Sequence, residues 1–332
     1  MSASAALIDS YDAVLFDLDG VIYLGPVAVP GVAAGIRQLH DRGTKIGFVT
    51  NNAARPPAAV ADHLVELGIP ATAADIVTSA QAAAHLLVNR FGAGARILAV
   101  GGDGVIAALS EAGLVGVHSA EDHPVAVIQG YGFNLAWQEL NEAAIAIQRG
   151  AHWVATNIDP TRPTERGLVP GNGAAVAAVT MAVAAGPAEV AGKPYRPLLD
   201  DTVERLGARH PLFVGDRLDT DIAGAVNAGL DSMFVLSGSH RAEDLLAAMP
   251  GERPTFLGED LRALLHPGLT VAQEMAEFRC GPATASVVDG RLVVQTARPG
   301  GMEAIWAAAH ATWWAVDHGL APDWRDALEQ LR

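Results

Sequence analysis

Short apolar runs alternate with helical stretches along most of this chain, and that alternation is the tightest constraint on what it can fold into. Strand-like runs fall at residues 14–16, 45–50, 97–100, 125–129, 212–215 and 232–236. Helical patterns separate them at 32–39, 56–67, 81–89, 135–148 and 174–184, then from about 221, and again at 243–248. A β-α-β-α succession of this kind builds parallel sheets covered by helices. In such sheets ligands bind just beyond the carboxyl ends of the strands. Residues that directly follow each run are therefore the first place to look for chemistry.

At 332 residues the chain has room for two or three domains. After about residue 270 the texture changes. TASVVDGRLVVQ, residues 284–295, reads as a hairpin with an Asp289-Gly290 turn. A helix over 302–317 follows, and a short helix from Asp323 closes the chain. Trp306 and Trp313 share one face of the 302–317 helix, with Trp314 beside them, an aromatic stripe that suits packing. About 60 residues of this kind bury little on their own. They must pack on the parent domain or on a second copy, which makes a homodimer one expectation. The single cysteine, Cys280, excludes an intramolecular disulfide and reads as a small buried hydrophobe. No apolar run reaches the roughly 18 residues of a membrane span, and MSASAALIDSYD has no basic segment ahead of an apolar one. A cytoplasmic location is expected, with no membrane partner. The formal charge of −15 argues against nucleic-acid partners. Any phosphate site must create its own local positive charge.

Four short pieces carry candidate chemistry. In FDLDG, Asp17 and Asp19 end the first strand one residue apart, and like charges so close need a cation or a shared proton. In VTNN, the hydroxyl, amide and backbone N–H groups of Thr50, Asn51 and Asn52 suit phosphate oxygens, although a helix-capping turn is the plainer reading. In VAGKP, Lys193 is either a solvated surface charge or the missing cation. In GDRLDTD, Asp216 and Asp221 again follow an apolar strand; magnesium is commonly held by one or two carboxylates plus phosphate. The alternative there is an acidic helix start favoured by the helix dipole. The four occur in order, at strand ends that can converge on one sheet edge.

As an ordered set, FDLDGVIYLG, VTNN, GKP and GDRLDTDIAGA resemble the phosphatases of the haloacid dehalogenase superfamily over about residues 12–265. The resemblance implies an α/β fold with a Rossmann-like parallel-sheet core, an inserted α/β cap and a small α+β C-terminal appendage. Asp17 to Thr50 spans 33 positions, too few for a domain, whereas Asn51 to Lys193 spans 142. The expected organisation is a core of residues 1–80 plus 188–266, a cap of 81–187 and an appendage of 267–332. By the same resemblance Asp17 is the nucleophile that forms an aspartyl-phosphate, and Asp19 is the general acid and then base. Mg2+ is the implied cofactor, held by Asp17, Asp216 and the backbone carbonyl of Asp19. Thr50, Asn51, Asn52 and Lys193 would bind the phosphoryl group, with Asp221 orienting a metal-bound water or Lys193.

ATNIDPTRPTERGLVPGNGA, residues 155–174, resembles the branch holding pyridoxal, phosphoglycolate, 4-nitrophenyl- and nucleotide phosphatases. With its C-terminal extension the chain is most similar to the bacterial members acting on glycerol 3-phosphate. The implied partner is a small phosphorylated metabolite. Arg162 either clamps its leaving group or is a solvated arginine; pyridoxal phosphatases tend to carry His-Pro there. Asn157 and Asp159 are expected to fix the loop, and Gly171–Gly173 to make a turn. ILAVGGDGVIAAL hints at dinucleotide binding, but Gly101, Gly102 and Gly104 lack the GxGxxG spacing, so a tight turn is the expectation. A phosphomutase is disfavoured by the cap position. A catalytically silent phosphate-sensing scaffold is the alternative from another class, and the intact Asp17, Asp19, Lys193 and Asp216 argue against it.

Overall fold

A computed structural model describes residues 5–164 and 166–331. The chain divides into two compact units, one of Met1–Leu24, Ala28–Lys45 and Arg209–Arg332, the other of Gly25–Val27 and Ile46–Ala208. The division groups 46–80 and 188–208 with the stretch between them, and groups the C-terminal appendage with the first strand.

In the first unit the strands run parallel in the order Phe256–Gly258, Asp231–Val235, Pro211–Gly215, Ala13–Asp17. Every residue of Ala13–Asp17 and Pro211–Gly215 is buried, as expected of strands covered on both faces. Phe16 lies opposite Val214. The two strands therefore end level, and Asp17 and Asp216 leave the sheet at the same edge. Helix Val32–Asp41 buries Val32, Ile36 and Leu39, one helical stripe.

The appendage holds more strand than the sequence suggested. Val271–Glu274, Glu277–Cys280, Ala283–Val288 and Arg291–Gln295 form an antiparallel meander. The expected two-residue turn is there, with Asp289 at φ 48° and Gly290 at φ 75°, the left-handed pair that such a turn needs. Helix Met302–Asp317 has the bounds read from sequence. The helix expected from Asp323 is absent: Asp323 instead bridges to Arg291, and a 3-10 turn follows at Ala327–Gln330. The appendage packs on its own unit. Phe278, Leu292, Trp306 and Trp313 share one buried cluster with Phe234, Leu245 and Leu257 of the sheet and its helices. The Trp313 indole N–H donates to the Leu245 carbonyl at 2.9 Å. Cys280 is buried there, and burial pushes its thiol up to about 11, as its bland reading requires.

The second unit receives strand Lys45–Thr50 at Ile46, paired in parallel with Ile76–Thr78. It also holds a five-stranded parallel sheet in the order Glu189–Val190, His152–Ala155, Ala126–Gln129, Arg96–Val100, Val115–Val117. Helices Trp137–Gln148 and Asn172–Val183 close a core around Trp153 on it. The glycine-rich turn is a packing device. A Cβ on Gly104 would lie 2.4 Å from the Ala53 carbonyl oxygen, and one on Gly101 would lie 2.7 Å from that of Gly130. Backbone fills the space a side chain would need at either position. No helix among the described residues is long and apolar enough to cross a membrane.

Candidate active site

The first unit holds a group of carboxylates. Asp17, Asp216 and Asp221 each offer an oxygen within 4.8 Å of the others. All three are buried, Asp216 completely. A buried trio of like charges is strongly unfavourable without a cation. The donor set is oxygen-only and hard, the kind that magnesium takes. The surrounding backbone is shaped to Asp216. The Ser239 N–H donates to its Oδ2 at 2.6 Å. A Cβ on Gly238 would meet that oxygen at 2.0 Å, and one on Gly20 would meet it at 2.3 Å. Gly20 sits at φ 94°, where glycine is at home. These residues fit a magnesium ion.

Asp221 belongs to this group more closely than the sequence suggested. A single π turn, Leu218–Ile222, brings its carboxylate back over the strand end. Its Oδ2 accepts from the Asp216 and Arg217 N–H groups, both at 3.1 Å. Gly215 makes room, since a Cβ there would lie 2.3 Å from that of Asp221. Asp19 stands outside the carboxylate group and is exposed. The resemblance assigned its backbone carbonyl to the metal and its side chain to proton transfer. The loop turns back through Gly20 N–H to the Tyr23 carbonyl at 2.8 Å.

The second unit holds its own cluster of donors and a cation. Lys193 is 2% exposed, far from the solvated surface charge of the plain reading. Thr50 is buried at the end of its strand. The Asn52 N–H donates to Thr50 Oγ1 and the Ala54 N–H to Asn52 Oδ1, both at 3.0 Å. These bonds fix the VTNN turn, and the Asn52 amide spends its oxygen on it. Asn51 reaches across the chain: Oδ1 accepts from the Lys193 N–H at 2.8 Å, and Nδ2 donates to the Lys193 carbonyl at 3.0 Å and to Asp159 at 3.1 Å. Asn157 donates to the Asn51 carbonyl at 2.7 Å, as a loop-fixing residue would.

Arg162 lies on a hairpin, Thr161–Thr164 paired with Gly167–Pro170, that the sequence did not reveal. Its guanidinium stacks over the Tyr131 and Phe133 rings, at 5.1 and 5.4 Å from their centroids. Its Nε is buried with no hydrogen-bond partner. Neither aromatic was singled out from the sequence, although both follow the apolar 125–129 run directly, where ligand contacts are expected.

The sequence profile of the haloacid dehalogenase-like hydrolases matches residues 14–115, and a second HAD-like hydrolase profile matches 190–264. The chain is 48% identical to the D-glycerol 3-phosphate phosphatase of Mycobacterium tuberculosis over 78% of its length and 72% of that protein's. It is 34% identical to a 5′-nucleotidase of Bacillus subtilis over 76% of its length and 96% of that protein's. Its structure superposes on the crystal structure of a glycerol phosphate phosphatase from Mycobacterium tuberculosis in complex with magnesium. That match has a TM-score of 0.86 and 44% identity, and covers 94% of this chain and 93% of the other.

Proposed function

The chain belongs to the haloacid dehalogenase-like hydrolases, and we propose that it is a magnesium-dependent phosphatase that hydrolyses glycerol 3-phosphate through an aspartyl-phosphate on Asp17. The observation that carries the chemistry is the buried oxygen-only group of Asp17, Asp216 and Asp221. The substrate rests on the likeness to the glycerol 3-phosphate phosphatase.

Asp17, Asp216 and the Asp19 carbonyl would hold the magnesium ion, with Asp221 behind them. When bound, the ion offsets the negative charge gathered by these carboxylates and the substrate phosphate. The Asp17 carboxylate attacks phosphorus as the bond to the leaving oxygen breaks. Asp19 gives that oxygen its proton, so glycerol leaves as an alcohol. Asp19 then takes a proton from a water that hydrolyses the aspartyl-phosphate, restoring both carboxyl groups. The Lys193 ammonium and the Thr50 hydroxyl donate to the phosphoryl oxygens. Residues 81–187 act as the substrate-selecting cap, in which Arg162 donates to the hydroxyls of the leaving glycerol. The guanidinium held over the two aromatic rings supports that role.

The test is phosphate release over a panel of phosphomonoesters with magnesium. Glycerol 3-phosphate should show the highest kcat/KM. A clear preference for a 5′-nucleotide, a sugar phosphate or phosphoglycolate would replace the substrate while keeping the chemistry. No turnover of any ester, 4-nitrophenyl phosphate included, would overturn the chemistry too and favour a phosphate-sensing scaffold.

A further inference from the structure

We infer that the Asn51 side chain, with Asp159, is a positioning device for Lys193 and not a ligand of the phosphoryl group. The inference rests on the reading of Lys193 as the phosphate-binding cation. The argument is one of donor supply. A phosphoryl oxygen needs a donor, and an asparagine side chain has only the two N–H bonds of its amide. Both are spent: Nδ2 donates to the Lys193 carbonyl at 3.0 Å and to Asp159 Oδ2 at 3.1 Å. The remaining atom, Oδ1, is an acceptor already taken by the Lys193 N–H at 2.8 Å. Nothing on this side chain is left to offer an anion.

What the amide does instead is pair with both backbone groups of one residue, as a neighbouring strand would. This holds the Lys193 Cα and hence the root of its ammonium. The orientation of the amide is forced, because turning it over would set its oxygen against the Lys193 carbonyl and the Asp159 carboxylate. Two further features hold the pairing. The Asn51 carbonyl accepts from Ser79 Oγ and from Asn157 Nδ2, both at 2.7 Å. Gly192 leaves the approach clear, since a Cβ there would lie 2.6 Å from Asn51 Oδ1. Asp159 precedes the Thr161–Thr164 strand that carries Arg162. The same amide therefore ties the lysine to the root of the hairpin.

A double-mutant cycle on inorganic phosphate binding in the presence of magnesium, read by calorimetry, tests this without turnover. Asn51→Ala should weaken phosphate binding about 10-fold in the parent protein and by less than about 2-fold in a Lys193→Ala background, because its effect passes through the lysine. Asp159→Ala should follow the same pattern at about 5-fold, with Asp159→Asn, which keeps an acceptor, within about 2-fold of the parent. The Asp159 pair carries the test if Asn51→Ala does not fold, as judged by circular dichroism. Equal losses in both backgrounds would overturn the inference, because Asn51 would then touch phosphate itself or merely support the fold. No loss from Asn51→Ala beside a large loss from Lys193→Ala would overturn the positioning role alone. No loss from Lys193→Ala would remove the reading of the lysine, and this inference with it.

Discussion

Gly238→Ala is a sharp test of the carboxylate group, because it adds one carbon atom at a known place and nothing else. The new Cβ would lie 2.0 Å from Asp216 Oδ2 and 2.4 Å from its Cγ. Non-bonded contact is comfortable at about 3.5 Å, so something must give by more than an ångström. The backbone at 238 is outside the left-handed region, so alanine brings no conformational strain of its own. The carboxylate, which also accepts the Ser239 N–H at 2.6 Å, is the group in the way. Magnesium demands near-octahedral oxygens at about 2.1 Å, and a ligand displaced this far no longer fits. The magnesium concentration for half-maximal phosphatase activity should rise by about 10- to 100-fold, or about 1.4–2.7 kcal/mol. Overpacking should cost about 1–3 kcal/mol of folding stability as well, so thermal unfolding is followed in parallel. Gly251→Ala is the control, since a Cβ there meets nothing within 4 Å. A folded Gly238→Ala protein with the parent's magnesium dependence would refute the assignment of Asp216 to the metal.

Asp17→Asn should abolish turnover of every ester, while Asp19→Asn should slow glycerol 3-phosphate far more than 4-nitrophenyl phosphate, whose leaving group departs with little protonation; equal losses on the two substrates count against Asp19 as the acid. Trp313→Phe removes the donor to the buried Leu245 carbonyl and should destabilise the protein by about 1–3 kcal/mol in denaturant titrations, leaving magnesium dependence unchanged. His310, packed among Phe278, Trp306 and Trp313, is held down at about 4 by burial first and by Arg253 second. Its folded pKa lies below the unfolded value, so the stability it contributes is complete above about 6.5 and drains away as pH falls toward 4. Between pH 7 and 4.5 the parent should therefore lose about 2 kcal/mol more than His310→Gln; identical pH profiles for the two would show that the imidazole is not desolvated.

Much of this fold was legible because its strands are covered on both faces, so each reads as a short unbroken apolar run. Lys45–Thr50 has the bounds read from sequence, and the other strands of the two parallel sheets among those runs match to within a residue or two. What escaped was of two kinds: short buried strands of the same parallel sheets, Ile76–Thr78, His152–Ala155 and Phe256–Gly258, and strand without that signature. Thr161–Thr164 is TRPT and Val271–Glu274 is VAQE, both largely solvent-facing and held by antiparallel partners. Asp323 looked like a helix start because an acid before an apolar stretch often is one. Its backbone is claimed by Gly290 and Leu292 of the hairpin, and tertiary pairing overrode the local preference. Likewise the tail's aromatic stripe announced a face to bury but not its cover, and the cover proved to be the tail's own unit.

The site divides along the same line. Asp17 and Asp216 were legible because the strand register that levels them follows from two apolar runs of equal reach. Their chemistry depends on residue type and position at a strand end, and a sequence contains both. The VTNN turn was read as a phosphate grip on the same grounds, and for its Asn51 amide residue type alone does not decide the matter. Whether an amide can serve an anion depends on whether its N–H bonds are still free, and those of Asn51 are claimed by partners 108 and 142 positions away. The available signal was indirect: Asn157 and Asp159, in TNIDP, are a donor and an acceptor placed two apart at a strand end, a pair suited to holding another loop. A polar motif at a strand end therefore supports two conclusions of unequal strength. Its carboxylates point to chemistry when they are gathered and buried, because like charges so placed call for a cation. Its amides point to chemistry only after the hydrogen-bond accounting of the folded chain leaves them a donor to give, and at Asn51 it leaves none.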